Sequence, residues 1–420
     1  MKLKLLRYIF FFVGLFLLII IYLSTIGIET EKFNKQIKDK IVKINKDLDI
    51  SLKKVNLTLD PFNFKINAKT VRPIIYYAKR PLKLENIKTQ VALDSIIKNK
   101  FVSSNFQIST RSILVKDLIK LIRVIAKKPE LLILETTIKQ GHLIFDLNLN
   151  LDQSGKIKKD YEIKGKFKDG KIQFLKKSYF ENINFLFSIK DKNYNFKNIK
   201  FSSDNVNFSS NLLTILKINN GHLLEGSIEN SDSVLPKNFI RLLKLNLKNV
   251  VFENTKFSSK NNFSFEIDKR FKSKNVKVQS DIIIDLIQYK NVGSYSNFFP
   301  DLKKKIFLKN QNLQLKYENN SLSIIGKGKI KLGNSSQNID YSIIKNKDDL
   351  KFETDLIVKQ TTLNNLKFIK QNFPLLKDQI NLKDHKINIR YKDNKVFLNG
   401  EGNIKIDKEF DYVKYSLVKN

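Results

Sequence analysis

Apolar and polar residues alternate with a period of two along most of this chain. Leu143, Phe145, Leu147, Leu149 and Leu151 form one apolar file. Tyr161, Ile163, Gly165 and Phe167 form another against Glu162, Lys164, Lys166 and Lys168, and Ile183, Phe185, Phe187 and Ile189 repeat it. Successive side chains of a strand point to opposite faces, so this pattern predicts strands of a half-buried sheet. Clusters of Asn, Asp, Ser and Gly separate the files, at Asp152–Gly155, Lys168–Gly170 and Lys190–Asn193, and read as hairpin turns. Counting on this basis gives about twenty strands. Near the start, Val55, Leu57 and Leu59 alternate with Asn56 and Thr58, Asp60–Pro61 turns the chain, and Phe62, Phe64 and Ile66 resume the alternation.

Three segments depart from period two. Tyr8 to Ile28 is a run of 21 residues without a charge. As a helix it spans about 31 Å, the thickness of a bilayer's hydrocarbon core. Lys2, Lys4 and Arg7 precede it and Glu29 and Glu31 follow, so the positive-inside rule places the N-terminus in the cytoplasm and the bulk across the membrane. Ser24-Thr25-Ile26-Gly27 is a poor cleavage site, which favours an uncleaved anchor over a removed signal peptide. In residues 29–50, Phe33, Ile37, Ile41, Ile44 and Leu48 recur at helical spacing and predict an amphipathic helix capping the first strands. A second helix is expected over 113–126, with Leu114, Leu118, Leu121 and Ile125 on one face and Pro129 ending it. Shorter helices are expected near 236–243 and 363–371.

The C-terminal part repeats. Shifted by 74 residues, Leu313-Gln-Leu315-Lys-Tyr317 overlays Ile387-Asn-Ile389-Arg-Tyr391 without a gap. Gly326-Lys-Gly328-Lys-Ile330-Lys-Leu332 overlays Gly400-Glu-Gly402-Asn-Ile404-Lys-Ile406, Phe299-Pro300 overlays Phe373-Pro374, and Tyr341–Asn346 overlays Tyr415–Asn420. A fixed period of this size predicts an array whose units pack mainly on their neighbours. The expected organisation is an anchor (1–28), a capping helix (29–50), an irregular β region (51–272) and two repeat units (273–346 and 347–420). The first copy runs on into Leu350-x-Phe352-x-Thr354 while the second stops at the equivalent point. An uncapped edge is a liability, so the chain is expected either to be part of a longer protein or to pair its end with a partner.

Each strand carries one apolar and one polar file, and few helices exist to cover the apolar side. The sheet must either bury its own side chains as a filled core or curl into a trough that holds something apolar. Gly326, Gly328, Gly400 and Gly402 sit on the apolar file. Glycine inside a strand marks a bend or a close approach, which fits either solution. The lining expected of a trough is Leu313, Leu315, Tyr317, Leu322, Ile324, Gly326, Gly328, Ile330 and Leu332, with Ile387, Ile389, Tyr391, Val396, Leu398, Gly400, Gly402, Ile404 and Ile406 as repeat partners.

An N-terminal anchor, a helix and a long run of alternating strands resemble the AsmA-like family of bacterial envelope proteins. The unit running from Phe299-Pro300 through Leu313-x-Leu315-x-Tyr317 and Gly326-x-Gly328 to Tyr341 is similar to its YhdP-like branch of bridge-type lipid transport proteins. The resemblance is one of layout over most of the chain and is sharpest over 273–420. It implies a mainly β, elongated, twisted antiparallel groove, anchored in the inner membrane and projecting into the periplasm, that moves phospholipids toward the outer membrane. The departure is size: about twenty strands at about 4.8 Å each give roughly 95 Å, short for a bridge between two membranes.

Composition narrows the chemistry. Cysteine is absent, which excludes disulfides, thiolate metal sites and a lipidated cysteine. Formal net charge is +36, yet the lysines are spread over the whole chain instead of clustering on one element, and abundant Lys, Asn, Ile and Phe with no Trp suggest an A/T-rich genome. A lysine-coated exterior therefore fits better than a nucleic-acid footprint, and such a surface suits anionic headgroups. His142, His222 and His385 lack partners at metal-ligand spacing, and Gly141-His142-Leu143 and Gly221-His222-Leu223 read as two similar hairpin corners. Asp281, Asp285, Asp348 and Asp349 read as solvated acids. No nucleophile elbow, phosphate loop or dinucleotide fingerprint occurs, so neither an enzyme nor a cofactor is expected. The leading expectation is a phospholipid conduit; the alternative is a periplasmic scaffold or assembly factor for outer-membrane proteins, binding clients along edge strands.

Overall fold

The computed structural model describes residues 2–32, 34–44, 48–77, 80–93, 103–126, 130–150, 158, 160–175, 178–236, 250–252, 254–270, 272–289, 306–332, 335–346, 349–364, 374, 379–393, 395–406 and 408–419. The expected turn at 152–155, most of the short helices near 236–243 and 363–371, Phe33, Phe299-Pro300, Phe373 and Asp348 lie outside these residues. The chain is mainly β, antiparallel, and divides into two compact units, Met1–Phe201 and Ser202–Asn420.

The first unit opens with α1 (Lys2–Thr25). Of it, Arg7–Thr25 is long and apolar enough to cross a membrane, and none of that stretch is buried by the rest of the protein. The helix ends earlier than the uncharged run does. Ile26 N and Gly27 N both donate to Tyr22 O, Gly27 takes a φ of 76°, and Ile28 already belongs to β1 (Ile28–Thr30). Next comes α2 (Asn34–Ile44), whose first residue donates from Asn34 Nδ2 to Lys53 O at 2.8 Å. Leu48, expected at its end, lies instead in a strand, β2 (Leu48–Ser51).

The strands β3 (Val55–Asp60), β4 (Lys65–Val71), β5 (Ile74–Tyr77), β6 (Arg80–Ala92), β7 (Ser103–Thr110), β8 (Ile113–Leu114), β9 (Ile138–Asn150), β10 (Glu162–Leu175) and β11 (Ser178–Lys190) follow. They pair antiparallel in the order β1-β3-β4-β6-β7-β9-β10-β11, with β2 and β5 as a side ladder on β6 and β8 on β9. Two helices, α3 (Val115–Ala126) and α4 (Glu130–Thr137), precede β9. Val115 and Ile119 of α3 are buried with Phe167 and Ile183 of the sheet. Of the expected face Leu121 is buried and Leu118 half-buried, but Leu114 is half exposed (50 %) because Ile113–Leu114 is a strand and the helix starts at Val115.

Two expected features of this unit are corrected. Lys168–Gly170 is not a hairpin turn, because β10 runs on to Leu175; Asp169, at φ 52°, marks a bulge where the register against β11 shifts. The Phe167 ring packs over Gly141 and Gly170 there, where any side chain would collide with it. Phe62 and Phe64 are not strand residues either. The loop between β3 and β4 spans 61–64, closed by Asp60 Oδ1, which accepts from Asn63 N at 3.1 Å.

The second unit holds β13 (Val206–Ile218), β14 (Gly221–Val234), β15 (Val250–Val251), β16 (Lys256–Asp268), β17 (Ser273–Tyr289), β18 (Ile306–Glu318), β19 (Ser321–Leu332), β20 (Ser335–Lys345), β21 (Leu350–Asn364), β22 (Gln379–Lys392), β23 (Lys395–Lys405) and β24 (Phe410–Lys419). The preceding strand, β12 (Asn193–Ser203), carries the boundary between the units. Neighbours pair antiparallel from β13 through β14 and β16 to β24, with β15 beside the end of β17, and the ladder does not close. No helix occurs among its described residues. Tight connections follow their sequence: Asp191-Lys192, Asp204-Asn205 and Asn319-Asn320 all take positive φ (48° to 65°), the conformation of a two-residue hairpin turn that matches strand twist.

Burial concentrates in a cluster of Ile339, Leu356, Val358, Leu363, Ile380 and Leu382 contributed by β20, β21 and β22. Leu356→Ala is expected to cost roughly 2–5 kcal/mol in a urea or thermal unfolding measurement, the range for a buried Leu truncation. Lys329→Ala on the opposite face is expected to stay within about 0.5 kcal/mol of the parent.

Candidate functional site

Directly paired residues of adjacent strands share a face, so the register of the second unit lays out its apolar surface row by row. One row runs Leu315, Ile324, Ile343, Phe352, Tyr391, Val396 across six strands from β18 to β23. The next runs Leu313, Gly326, Tyr341, Thr354, Ile389, Leu398, and a third joins Gly328, Ile339, Leu356, Ile387 and Gly400. Of the residues expected to line a trough, Leu313, Leu315, Ile324, Gly326, Gly328, Ile387, Ile389, Tyr391, Val396, Leu398 and Gly400 lie in these rows on one face. Burial rises along the strands. Leu313, Leu315, Tyr317, Leu322, Ile324, Ile387, Ile389, Tyr391, Val396 and Leu398 are half-buried, whereas Gln311, Gln337, Val358, His385 and Leu382, nearer the other strand ends, are buried; Ile330 and Ile404, also half-buried, lie at that second end, opposite Gln337 and Leu382. Ile406 lies past the end of β23 and is exposed, and Leu332 is the last residue of β19.

The opposite face carries the charges, with Ile325, Ile344 and Ile357 exposed among them. Lys277 and Lys316 flank Glu318 at 2.9 and 3.3 Å, Lys327 meets Asp340 at 3.6 Å, Arg390 meets Glu353 at 3.6 Å and Lys414 meets Glu401 at 3.6 Å. Such exposed pairs are screened by solvent, so they contribute little stability. Of the expected solvated acids, Asp285 accepts from Lys256 N at 2.8 Å and Asp349 pairs with Lys351 at 3.3 Å.

The glycines on the apolar face are not open lining. Gly326 lies opposite Tyr341 and Gly400 opposite Tyr415, and a β-carbon on either glycine would overlap the tyrosine ring. A β-carbon on Gly328 would overlap the Gln311 amide, and one on Gly402 would come within 2.8 Å of His385 Nδ1. The tyrosines and their neighbours are joined: Tyr341 Oη donates to Gln311 Oε1 at 3.0 Å, and Tyr415 Oη lies 3.2 Å from His385 Nε2 with the two rings stacked. Each Gly-x-Gly pair is thus a recess filled by a cross-strand tyrosine and a buried polar partner. Gly165 with Phe187 and Gly226 with Phe263 repeat the glycine–aromatic half of the arrangement.

Gln311 and His385 had no place among the expected site residues. The signal was the same 74-residue shift, which carries Gln311 onto His385 and Asn310 onto Asp384. Asn310 (φ 50°) and Asp384 (φ 47°) each sit at a register shift, and that bulge turns the following Gln or His inward. Both side chains are 0 % exposed. Gln311 Nε2 donates to Lys309 O at 2.7 Å and to Lys329 O at 3.3 Å, while His385 Nδ1 is buried without a hydrogen-bond partner. Burial pushes the Tyr341 hydroxyl up to about 12, raises that of Tyr415 and lowers the pKa of His385.

His142 and His222 do not occupy matching corners. Gly221-His222 opens β14, whereas Gly141-His142 lies inside β9 beneath Phe167. Among the described residues no three His, Asp or Glu side chains converge as a metal site. No family model matches this chain, and neither a curated protein nor a solved structure is detectably similar to it.

Gly326→Ala is expected to destabilise the fold by about 1–3 kcal/mol through overpacking. Combining it with Tyr341→Ala should cost less than the two single changes added together, which a double-mutant cycle on unfolding free energies checks. His385 gives a pH dependence. Its folded pKa lies below its unfolded value, so its contribution is fully present above the unfolded pKa of about 6.5 and is lost as pH falls through and below it. The denaturation midpoint of the parent should therefore drop over that window, and His385→Gln, which installs the residue of the other repeat, should flatten the drop.

Proposed function

We propose that this chain is a membrane-anchored lipid-handling protein whose C-terminal sheet takes the acyl chains of phospholipids along its apolar face. The observation that carries the reading is the row Leu315, Ile324, Ile343, Phe352, Tyr391, Val396. Six apolar side chains stand directly beside one another, each only half-buried, in a unit with no helix among its described residues to cover them. Removing such surface from water favours an apolar guest by roughly 0.8 kcal/mol per methylene buried, and this requires no specific polar contact. Near-equivalent rows in successive repeats offer successive sites of similar affinity, which suits sliding better than tight capture.

The anchor supports the rest of the reading. Lys2, Lys4 and Arg7 at the start of α1 and Glu29 and Glu31 after it favour, by the positive-inside rule, a cytoplasmic N-terminus; in this reading the sheet lies in the periplasm of a bacterial inner membrane and phospholipid moves toward the outer membrane. The charged opposite face keeps that side in water, and no step of the proposal needs a catalytic group.

The test is lipid extraction and mass spectrometry of the full chain purified in mild detergent. Co-purifying phospholipid is expected. Leu322→Asp with Leu398→Asp, both on half-buried positions, should abolish it while the β-rich circular dichroism spectrum is retained; Ile339→Asp, in the buried cluster, should unfold the unit, since an unpaired buried carboxylate is costly. Purification of folded protein free of phospholipid, under conditions that keep lipid on a known lipid carrier, would sink the proposal.

A further inference from the structure

The β3–β4 hairpin ends in a tip that the core does not need. Asp60 pairs with Lys65 across the two strands, so Pro61, Phe62, Asn63 and Phe64 form the loop. Asp60 holds it shut, accepting from Asn63 N at 3.1 Å and from Asn63 Nδ2 at 2.9 Å, and these bonds lower its carboxyl pKa. The two phenylalanines stand out of the tip, Phe62 93 % and Phe64 73 % exposed. Phe64 also takes a φ of 50°, a conformation that bulky residues rarely adopt and that Gly or Asn would adopt more easily. Packing therefore does not account for either ring, and turn chemistry argues against Phe at position 64.

The register says where the tip lies. β1 follows directly on α1 and pairs antiparallel with β3, Ile28 opposite Leu57 and Thr30 opposite Val55. β3 thus runs back toward the helix, and Asp60 lies about 10 Å beyond the Ile28–Leu57 pair in that direction. The junction is close-packed: Gly27 sits against the Leu57 carbonyl and the Thr58 methyl, with no room for a side chain. Tyr22, one turn from the end of α1, is itself 51 % exposed. The register thus directs two exposed Phe rings toward the end of an apolar helix that itself exposes a Tyr, and such residues suit a membrane–water boundary.

We infer that Phe62 and Phe64 insert into the interface of the bilayer that α1 crosses, on the side where α1 ends, and fix the first sheet against that surface. The inference rests on α1 spanning a bilayer, not on the lipid-handling face. Lys65 beside the tip suits anionic headgroups.

The chain contains no tryptophan, so single probes read one site each. The full chain carrying Phe62→Trp, Phe64→Trp or Tyr22→Trp is reconstituted into phosphatidylcholine–phosphatidylglycerol vesicles, with and without phosphatidylcholine brominated in its acyl chains. The expected result is a blue-shifted emission at position 62 or 64 and a loss of emission to the brominated lipid comparable with that at position 22. Quenching at position 22 with unquenched, water-like emission at both 62 and 64 would overturn the hairpin insertion while leaving the anchor intact. No quenching at position 22 would remove the spanning helix, and the hairpin inference with it.

Discussion

An open sheet with one apolar face and, among the described residues of the second unit, no helix over it has to cover that face with its own side chains. In the second unit this constraint decides which residues sit where. Strand pairing fixes neighbouring backbones about 4.8 Å apart, too far for small side chains to close the surface and too near for every position to be large. The sequence answers with alternation of size across strands as well as along them. Glycine on β19 receives Tyr341 from β20, and glycine on β23 receives Tyr415 from β24, each ring lying over the backbone that the missing side chain exposes. The glycine loses strand propensity and the ring restores the contact, so neither residue is replaceable alone.

A buried tyrosine brings a hydroxyl that needs a partner. The bulge at Asn310 and at Asp384 supplies one by rotating Gln311 and His385 onto the apolar side, where they meet the Tyr341 and Tyr415 hydroxyls. Bulge, polar residue, glycine pair and tyrosine are therefore one device, and it divides the face. On one side of it lies the buried cluster around Val358 and Leu382, and on the other the half-buried rows ending at Tyr317 and Tyr391. The stable part of the sheet and its candidate binding surface lie on the same strands and meet where Ile330, Ile387 and Ile404 pack against the cluster.

Much of this was legible in the chain because period two and a fixed repeat both survive in primary order. Alternation located the strands of both units, and Asp191-Lys192 announced its turn by residue type alone. Alternation failed where a side chain overrode it locally. At Phe62 and Phe64 the Asp60 carboxylate closes a turn across an apolar alternation, and at Lys168–Gly170 a Phe167 ring over two glycines keeps one strand running through what reads as a turn. The function of Gly326-x-Gly328 was illegible for a different reason: the ring that fills the recess arrives from the next strand, fifteen residues on in the case of Tyr341, and local spacing does not reveal which face it meets. His385 looked isolated because its partner Tyr415 is thirty residues away.

The division of the face also limits what kind of binder this sheet can be. A guest chain laid over the row from Leu315 to Val396 meets carbon from six strands but no buried charge and no enclosing wall among the described residues. Affinity then scales with the length of apolar surface covered, and discrimination between headgroups has no residue on this face to perform it. Under the lipid-handling proposal selectivity would enter where polar groups and lipid meet, and the β3–β4 hairpin is a described element that combines a basic residue, Lys65, with exposed rings. Tight, specific capture would call for the opposite arrangement, a closed pocket with few placed polar groups. Under that proposal the half-open apolar row would make weak contacts of low selectivity, repeated from strand to strand.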